Sequence, residues 1–294
     1  MKRVLGLGFI FGFFLLFLPL IIFAGEKLGG GKIAYSRLAD GYWQVWVYDL
    51  DKNTHSQLTY SPCDKREPTF SPDGKRIAYR TNNAEVYILD LETGRQQRIL
   101  KDLGLVSDLD WSPDGSRIIF TRFRSDIKDD SDIFIADEDG KDLKALTNDP
   151  EIQCQPVFSP DGRRIVYVDG RREKGYNIAI MDIDGSSFKL LTDIRDYNLQ
   201  PAWSPDGEKI SFSSNRSGSY EIWIMDKQGG GLKQLTKDNG FNSFPRFSPD
   251  GRRLAYTSLK GGILEIWVMD LDSGLDRRVS EEGKSSRDPD WLRQ

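Results

Sequence analysis

The sequence predicts an all-β protein, a six-bladed β-propeller of four-stranded antiparallel blades. Three observations predict it: a repeated pentapeptide, alternating apolar residues after each copy, and a final strand that completes the first blade. The pentapeptide, aromatic-Ser-Pro-Asp-Gly, occurs five times, and its copies begin 41, 47, 45 and 44 residues apart at Phe70, Trp111, Phe158, Trp203 and Phe247. A repeat of this length with several strands per unit is typical of propeller blades.

Each pentapeptide predicts a tight turn between a first and a second strand. Pro fixes φ for a type I turn, and Gly accepts the positive φ with which such a hairpin ends. Alternating residues follow each turn, as at positions 75–79, which is the pattern of a half-buried strand. Because all five copies occupy the same kind of turn, we interpret their Ser and Asp residues as structural and not as nucleophiles or acids.

The third and fourth strands of each repeat are also visible in the sequence. Apolar runs that end in aspartate predict six third strands, and these runs end at Asp49, Asp90, Asp137, Asp182, Asp226 and Asp270. Each of these acids leads into a turn containing Gly or Asn, where we expect it to bind backbone amides. Leu-Thr pairs such as Leu146-Thr147 and Leu235-Thr236 indicate the fourth strands.

The two ends of the repeat region predict how the ring closes. Residues 32–35 match a second strand, but no aromatic-Ser-Pro-Asp-Gly strand precedes them. Residues 288–291 supply the missing first strand, because Trp291 follows Phe247 by another 44 residues. The propeller is therefore predicted to span residues 32–294, with the C-terminal strand completing the first blade and covering both open edges.

The N-terminal residues belong to a different class of segment. Lys2 and Arg3 precede 21 uncharged, mostly apolar residues, at positions 4–24. This composition predicts a hydrophobic helix that is either a cleaved signal peptide or an N-terminal membrane anchor. Residues 25–31 form a short linker to the propeller. In both cases the propeller is exported, and it is periplasmic or anchored to the inner membrane facing the periplasm.

The residue inventory argues against several functions. Basic and acidic residues are interleaved and the net charge is −4, so nucleic acid is not expected as a partner. No Gly-X-Ser-X-Gly nucleophile elbow is present, and the one histidine, His55, lies in a turn where we expect a solvated surface residue. We expect no catalytic residues, cofactor or metal. A Ca²⁺ ion held by inner-strand acids around the channel is left as an alternative.

The two cysteines, Cys63 and Cys154, precede first strands of blades that are not neighbours. A disulfide requires Cα atoms within ~7 Å, so we favour two free thiols over a bridge despite the predicted export.

The complete repeat resembles the TolB-type propeller repeat. The resemblance rests on aromatic-Ser-Pro-Asp-Gly, the following basic-basic-Ile-Ala-Tyr, the Ile-Trp-Ile-Met-Asp strand and the Leu-Thr pair, and it covers roughly residues 32–292. It implies a periplasmic component of the Tol-Pal envelope system whose propeller binds the peptidoglycan-associated lipoprotein. TolB proteins carry an α/β domain before the propeller, whereas here residues 25–31 alone separate the apolar segment from the first strand.

The variable loops predict the binding face. In an up-and-down blade, the loops before the first strand and between the second and third strands emerge on one face, and they hold most of the irregular sequence, whereas the turns on the opposite face look generic. Aromatic, amide and Arg residues are favoured at interface hot spots. The candidate partner-binding residues on this face are Arg66, Arg122, Phe123, Arg124, Gln155, Tyr197, Asn198, Gln200, Phe241, Asn242 and Phe244.

Two functions are compatible with the sequence. The first is a non-catalytic, exported protein-binding propeller of the cell envelope, whose partner is an envelope protein such as a peptidoglycan-associated lipoprotein. The alternative is an enzyme or enzyme accessory that acts on envelope glycans or peptides through the same channel mouth, since a glycosidase needs only two carboxylates.

Overall fold

A computed structural model of the protein describes residues 30–124, 130–171, 175–193 and 195–293, and these residues form an all-β fold. In this part of the chain, no helix is long and apolar enough to cross a membrane. The helix predicted for residues 1–24 lies outside the described residues.

The first seven strands form two blades. The strands are β1 (Lys32–Ala39), β2 (Tyr42–Asp49), β3 (Thr54–Gln57), β4 (Lys65–Phe70), β5 (Arg76–Thr81), β6 (Val86–Asp90) and β7 (Gln96–Ile99). Strands β1 to β3 belong to the first blade and β4 to β7 to the second, with antiparallel neighbours throughout. 

The next eight strands join in one sheet. They are β8 (Val106–Trp111), β9 (Arg117–Phe123), β10 (Ser131–Asp137), β11 (Lys144–Ala145), β12 (Ile152–Phe158), β13 (Arg164–Arg171), β14 (Gly175–Asp182) and β15 (Lys189–Leu190).

The last nine strands form two further blades and complete the first. They are β16 (Asn198–Trp203), β17 (Lys209–Ser214), β18 (Glu221–Asp226), β19 (Lys233–Gln234), β20 (Ser243–Phe247), β21 (Arg253–Ser258), β22 (Glu265–Asp270), β23 (Asp276–Arg278) and β24 (Ser286–Trp291). Strands β16 to β19 and β20 to β23 are four-stranded blades, and β24 pairs with β1.

The prediction of six separate four-stranded antiparallel blades is wrong. The described residues form four four-stranded blades, whereas strands β8 to β15 make one eight-stranded sheet. The joint is a parallel pair between Ser131 of β10 and Ile152 of β12. A side-chain bond supports it, because the Ser131 Oγ of β10 donates a hydrogen bond to the Gln153 carbonyl of β12 at 3.1 Å.

The predicted closure by the C-terminal strand is confirmed. Strand β24 pairs antiparallel with β1, so that Trp291 lies opposite Ile33. The first strands of the repeats, which are β4, β8, β12, β16, β20 and β24, contact one another in that order, and β24 contacts β4. These strands therefore close a ring around a central channel.

The core lies between neighbouring blades. Trp111 of β8, which is fully buried, packs in one cluster with Val86 and Ile88 of the preceding blade. Trp291 packs in another cluster with Ile33 of β1 and Ile266 of β22. Each aromatic residue that opens the pentapeptide is buried, so the repeated aromatic position supplies the contacts that hold adjacent sheets together.

The pentapeptide makes the predicted turn, held by its own side chains. The Ser71 Oγ donates to Asp73 Oδ1 at 2.6 Å and accepts from the Arg76 amide at 3.0 Å, while Asp73 also accepts from the Lys75 amide at 3.1 Å. The hydrogen bond from Ser71 contributes most to lowering the pKa of Asp73. The same Ser-to-Asp bond recurs at Ser112–Asp114, Ser159–Asp161, Ser204–Asp206 and Ser248–Asp250.

Candidate functional site at the channel mouth

A ring of backbone bulges surrounds the end of the channel from which the variable loops emerge. Each first strand has a register shift three residues before its aromatic residue, and the residue there has a φ between 54° and 57°. Left-handed backbone costs a non-glycine residue roughly 1–2 kcal/mol. The residues in this conformation, called here the mouth ring, are Glu67, Asp108, Gln155, Gln200, Phe244 and Asp288. They line a narrow cavity of about 50 Å³ in the channel.

Hydrogen bonds connect the mouth ring from one first strand to the next. The Glu67 Oε2 accepts from the Asp108 amide at 3.0 Å, and the Gln155 Oε1 accepts from the Gln200 amide at 2.7 Å. The Gln200 Oε1 accepts in turn from the Phe244 amide at 3.3 Å. These bonds hold neighbouring strands together at the level of the mouth.

Where the mouth-ring side chain is short or apolar, a threonine hydroxyl accepts the hydrogen bond from the next ring amide instead. The Thr121 Oγ1 accepts from the Gln155 amide at 3.0 Å and donates to Asp108 Oδ2 at 2.8 Å. The Thr257 Oγ1 accepts from the Asp288 amide at 3.2 Å. The mouth ring is therefore rigid although its residues differ from strand to strand.

The pKa values of the three carboxyl groups of the ring are shifted in different directions. Burial favours the neutral form of Glu67, but the hydrogen bond and charge of Arg80, at 2.7 Å, outweigh it and hold the pKa of Glu67 below its ordinary value. Burial and the negative charge of Glu67 raise the pKa of Asp108 to about 6. Burial also raises the pKa of Asp288, although Arg287 donates to it at 2.9 Å.

Aromatic side chains surround one half of the mouth. Tyr176 stacks on Tyr197 with ring centroids 5.1 Å apart, and Tyr220 meets Phe241 edge to face at 5.0 Å. The Arg287 guanidinium lies 5.5 Å from the ring centre of Phe244 and 5.9 Å from that of Trp43. We call Trp43, Tyr176, Tyr197, Tyr220, Phe241 and Phe244 the aromatic belt. Tyr197 is 44% exposed and Phe241 48% exposed.

A cavity of about 290 Å³ opens inside the belt, lined by Tyr220, Phe241, Phe244 and Arg287. Phe241 has a φ of 51°, so a bulky, half-exposed aromatic residue is held in an unfavourable backbone conformation. Strain of this kind concentrates at functional sites.

Charged pairs occupy the other half of the mouth. Arg124 pairs with Asp132 and, at 3.3 Å, with Asp130, and it donates to Asn148 at 2.9 Å. Arg171 pairs with Asp169 at 2.8 Å. The positive charge of these arginines is therefore matched by buried carboxylates on or next to the strands that border their loops.

The structure brings five of the predicted partner-binding residues to the mouth itself. Gln155, Gln200 and Phe244 belong to the mouth ring, and Tyr197 and Phe241 are the two most exposed members of the belt. Glu67, Asp108 and Asp288 were missed. Their signal is the spacing of three residues to the aromatic position, which all six ring residues share.

Two predicted residues are buried and support loops. The Asn198 Nδ2 donates to the Tyr176 carbonyl at 3.0 Å, and its Oδ1 accepts from Arg216 at 2.7 Å. The Asn242 Nδ2 donates to Glu221 Oε2 at 2.9 Å and to Asp238 at 2.7 Å. Both side chains hold the belt loops in place from below.

The remaining predicted residues lie beside the belt or on the charged half. Arg66 pairs with Asp64 at 2.9 Å and lies 5.3 Å from the Trp43 ring centre. The Arg122 Nε donates to the Leu103 carbonyl at 2.9 Å, and Phe123 pairs with Ser131 at the end of β9. The longest variable loop continues into residues 125–129, which lie outside the described residues.

His55 differs from its prediction as a solvated surface residue. It is partly buried, its Nδ1 is hydrogen-bonded to the Tyr35 hydroxyl at 2.8 Å, and it stacks on Tyr48 at 4.5 Å. Burial lowers the pKa of His55. Cys63 and Cys154 are free thiols, as favoured from the sequence. No group of three or more His, Cys, Asp or Glu residues within the described ranges is arranged to hold a metal ion.

Comparison with known proteins places this architecture in a family. The family model of the TolB β-propeller domain matches residues 28–126 and 124–294 of the sequence. The chain belongs to the TolB β-propeller domain family. It is 27% identical over 145 residues to a protein TolB homolog of Chlorobium luteolum, covering 48% of this chain and 32% of that protein.

Two further relatives are similar. The Tol-Pal system protein TolB of Anaeromyxobacter dehalogenans is 28% identical over 136 residues, which cover 43% of this chain and 29% of that protein. The chain thus spans about a third of the length of these curated relatives. The crystal structure of TolB from Acinetobacter baumannii superimposes with a TM-score of 0.79 at 27% identity, covering 90% of this chain and 67% of that one.

Proposed function

We propose that this protein is a non-catalytic, protein-binding propeller of a Tol-Pal-type envelope system, and that it binds its partner at the channel mouth through the aromatic belt. The observation that carries the proposal is the half-exposed belt on a rigid mouth ring. Aromatic and Arg residues dominate the energetics of protein interfaces. The relatives named as Tol-Pal system proteins support an envelope protein as the partner.

The enzyme alternative has one feature in its favour. Glu67 and Asp108 are neighbouring carboxyl groups whose pKa values are shifted in opposite directions, as in an acid and base pair. The cavity between them holds about 50 Å³, however, whereas small-molecule sites commonly occupy roughly 300–1,000 Å³. A sugar ring does not fit beside this pair, so the geometry supports binding better than turnover.

The test is titration of the full-length protein, in detergent, with the purified peptidoglycan-associated lipoprotein of the same organism. The double variant Tyr197→Ala/Phe241→Ala removes two exposed rings of the belt. We expect it to weaken binding by at least ~100-fold, a loss typical of two hot-spot residues.

The matched control is Phe188→Ala/Leu275→Ala, which removes two apolar side chains that are 51% and 66% exposed and lie in turns outside the mouth. Binding by the control should equal that of the wild type. Equal loss in both variants, or undiminished binding by the belt variant, would remove the belt as the interface. Absence of wild-type binding would remove this lipoprotein as the partner.

We also propose that the propeller acts in the periplasm, released or held at the inner membrane by residues 1–24. The basic pair followed by an apolar segment in the sequence supports this route. Cell fractionation, with mass measurement of the mature N-terminus, tests it. A full-length chain in the membrane fraction indicates an anchor, a shortened chain in the periplasm indicates a cleaved signal, and a cytoplasmic chain contradicts export.

A further inference from the structure

A second and larger cavity lies at the opposite end of the channel, on the face that looked generic in the sequence. Its volume is about 430 Å³. The prolines of all five pentapeptides line it, namely Pro72, Pro113, Pro160, Pro205 and Pro249. We call this cavity the proline vestibule. The aromatic rings of Trp203 and Phe247 add to its wall, so most of its lining is apolar.

Two guanidinium groups also line the vestibule. Arg293 follows Trp291 by two residues, so it stands where the pentapeptide would place proline. Arg246 directly precedes Phe247, a position occupied in the other first strands by Thr69, Asp110, Val157, Ala202 and Asp290. The repeat pattern thus departs from its uncharged or acidic residues at two points, and both departures bring a cation to the same cavity.

Arg293 is paired, whereas Arg246 retains donors. The Arg293 guanidinium donates to Asp110 and, at 3.3 Å, to the Trp111 carbonyl. Arg246 donates to the Pro245 carbonyl at 3.0 Å, and its Nε lies 4.0 Å from Asp290 Oδ1, beyond hydrogen-bond distance. A guanidinium has five N–H donors. The Arg246 side chain is 28% exposed, so several of its donors face open space.

Asp290 is engaged elsewhere, which leaves Arg246 available. The Asp290 Oδ2 accepts from the Phe70 amide at 2.9 Å and from the Thr69 hydroxyl at 3.3 Å. Burial raises the pKa of Asp290, although the charges of Arg293 and Arg246 oppose this shift. The vestibule therefore contains one guanidinium group, that of Arg246, with donors that the protein does not use. It lies beside the proline and aromatic rings that line the cavity.

We propose that the proline vestibule binds a small amphipathic monocarboxylate, whose carboxylate accepts hydrogen bonds from Arg246 while its hydrocarbon or aromatic body packs on the proline wall. Guanidinium and carboxylate match in a two-bond geometry. The cavity volume falls within the range of small-molecule sites. A single carboxylate suits the site better than a dianion, because Asp290 lies beside Arg246. The vestibule opens on the face opposite the aromatic belt and does not depend on the proposed partner, although Val157, Arg246 and Asp290 also line the narrow cavity at the mouth ring.

Calorimetric or NMR titration of the full-length protein with phenylacetate tests the proposal. We expect saturable binding in the range of about 1 mM or tighter, and at least ~10-fold weaker binding of the neutral isostere phenylacetamide. The Arg246→Gln variant should weaken phenylacetate by the same factor. Arg252→Gln is the matched control, because Arg252 is exposed on the same face and does not line the cavity, and it should bind as the wild type does.

A second variant tests the site independently of any effect of the Arg246→Gln substitution on folding. Ala202 lines the vestibule, and Ala202→Leu fills part of it without changing charge, so it should also abolish binding. N-acetylphenylalanine distinguishes the source of the carboxylate, since tighter binding than phenylacetate indicates the end of a peptide and weaker binding a free acid. Equal affinity for acid and amide, unchanged affinity in Arg246→Gln, or no saturation by about 10 mM would each overturn the proposal.

Discussion

The two ends of the channel use the same strands in opposite ways. At the pentapeptide end, each turn is held by bonds within itself: the Ser hydroxyl donates to the Asp carboxylate, which also accepts from the amide two residues later. At the mouth, the bonds run between neighbouring strands, and the side chain that accepts the bond from the ring amide is a glutamate, a threonine or a glutamine at different positions. The bonds within the turns are the same in every copy because the pentapeptide is repeated. The bonds between blades differ because the mouth-ring residues differ. Variation is therefore concentrated where a partner can be selected.

The comparison also explains why a repeated face can carry a site of its own. Each proline is a turn residue when its repeat is considered alone. Five of them converge only because the ring closes, and the closing segment brings Arg293 in place of a sixth proline. A cavity of about 430 Å³ is thus a property of the assembled ring and not of any single repeat.

Removing the closing contact should produce the largest effect on stability. Trp291 is 2% exposed and packs between the first blade and its neighbour. We expect Trp291→Ala to lower the free energy of unfolding by about 3 to 5 kcal/mol, as for other buried aromatic residues. Urea unfolding measures this. The exposed control Phe188→Ala should stay within about 0.5 kcal/mol of the wild type. An equally small change in Trp291→Ala would show that β24 does not close the ring.

A glycine pair isolates the packing at the pentapeptide end. Gly74 and Gly94 both have positive φ, 67° and 70°, but a Cβ at Gly74 would lie 2.6 Å from Leu292 Cδ1, whereas nothing lies within 4 Å at Gly94. Gly94→Ala should cost about 1 kcal/mol through backbone strain alone. Gly74→Ala should cost about 1 to 2 kcal/mol, because the Leu292 side chain must also move away from the added Cβ. Equal costs in thermal or urea unfolding would place Leu292 outside the closing contact.

Asp108 provides a test at the mouth that depends on pH. Its folded pKa of about 6 lies above its ordinary value of 3.8, so the folded protein binds the proton more tightly than the unfolded chain. The resulting stabilisation is complete below about pH 4 and is lost as the pH rises through 6. Asp108→Asn keeps an acceptor for Ser107 and Thr121 but removes this dependence.

We therefore expect Asp108→Asn to be more stable than the wild type by about 1 to 2 kcal/mol at pH 7.5, with no gain at pH 4. Urea unfolding at several pH values measures the slope, and the exposed Asp272→Asn serves as the control. If the difference in stability between Asp108→Asn and the wild type is the same at pH 4 and at pH 7.5, burial and the charge of Glu67 do not act on Asp108 as the structure indicates.

The sequence predicts local structure well because the responsible interactions are local. The run ending at Asp90 is strand β6, the pentapeptide forms its turn, and β24 pairs with β1 as the spacing of Trp291 indicates. The sequence does not predict the tertiary contacts. The joint between Ser131 and Ile152 connects two neighbouring repeats, and the pattern within either repeat does not indicate it.

The candidate site divides in the same manner. Tyr197 and Phe241 were found because exposed aromatic residues in variable loops are visible in the sequence. The burial of Asn198 and Asn242 was not predictable, because their partners Tyr176 and Glu221 lie about 20 residues away. The eleven predicted partner-binding residues remain a prediction of contact, which the titration with the lipoprotein tests.

The smallest stability change is expected at Phe241, and its sign is informative. Its φ of 51° costs a non-glycine residue roughly 1 kcal/mol, and almost half of its side chain is exposed. Phe241→Gly should relieve this strain, whereas Phe241→Ala keeps it, so the glycine variant should unfold with a free energy about 1 kcal/mol higher than the alanine variant.

Both substitutions at Phe241 should weaken partner binding equally, because each removes the ring. Thermal unfolding and the lipoprotein titration measured on the same samples decide the matter. A glycine variant that is more stable than the alanine variant, yet binds as poorly, would show that Phe241 contributes to binding although its backbone conformation lowers stability. A glycine variant that loses stability instead would mean that the Phe241 ring holds the loop together by its contact with Tyr220, and the belt would then be part of the fold and not of an interface.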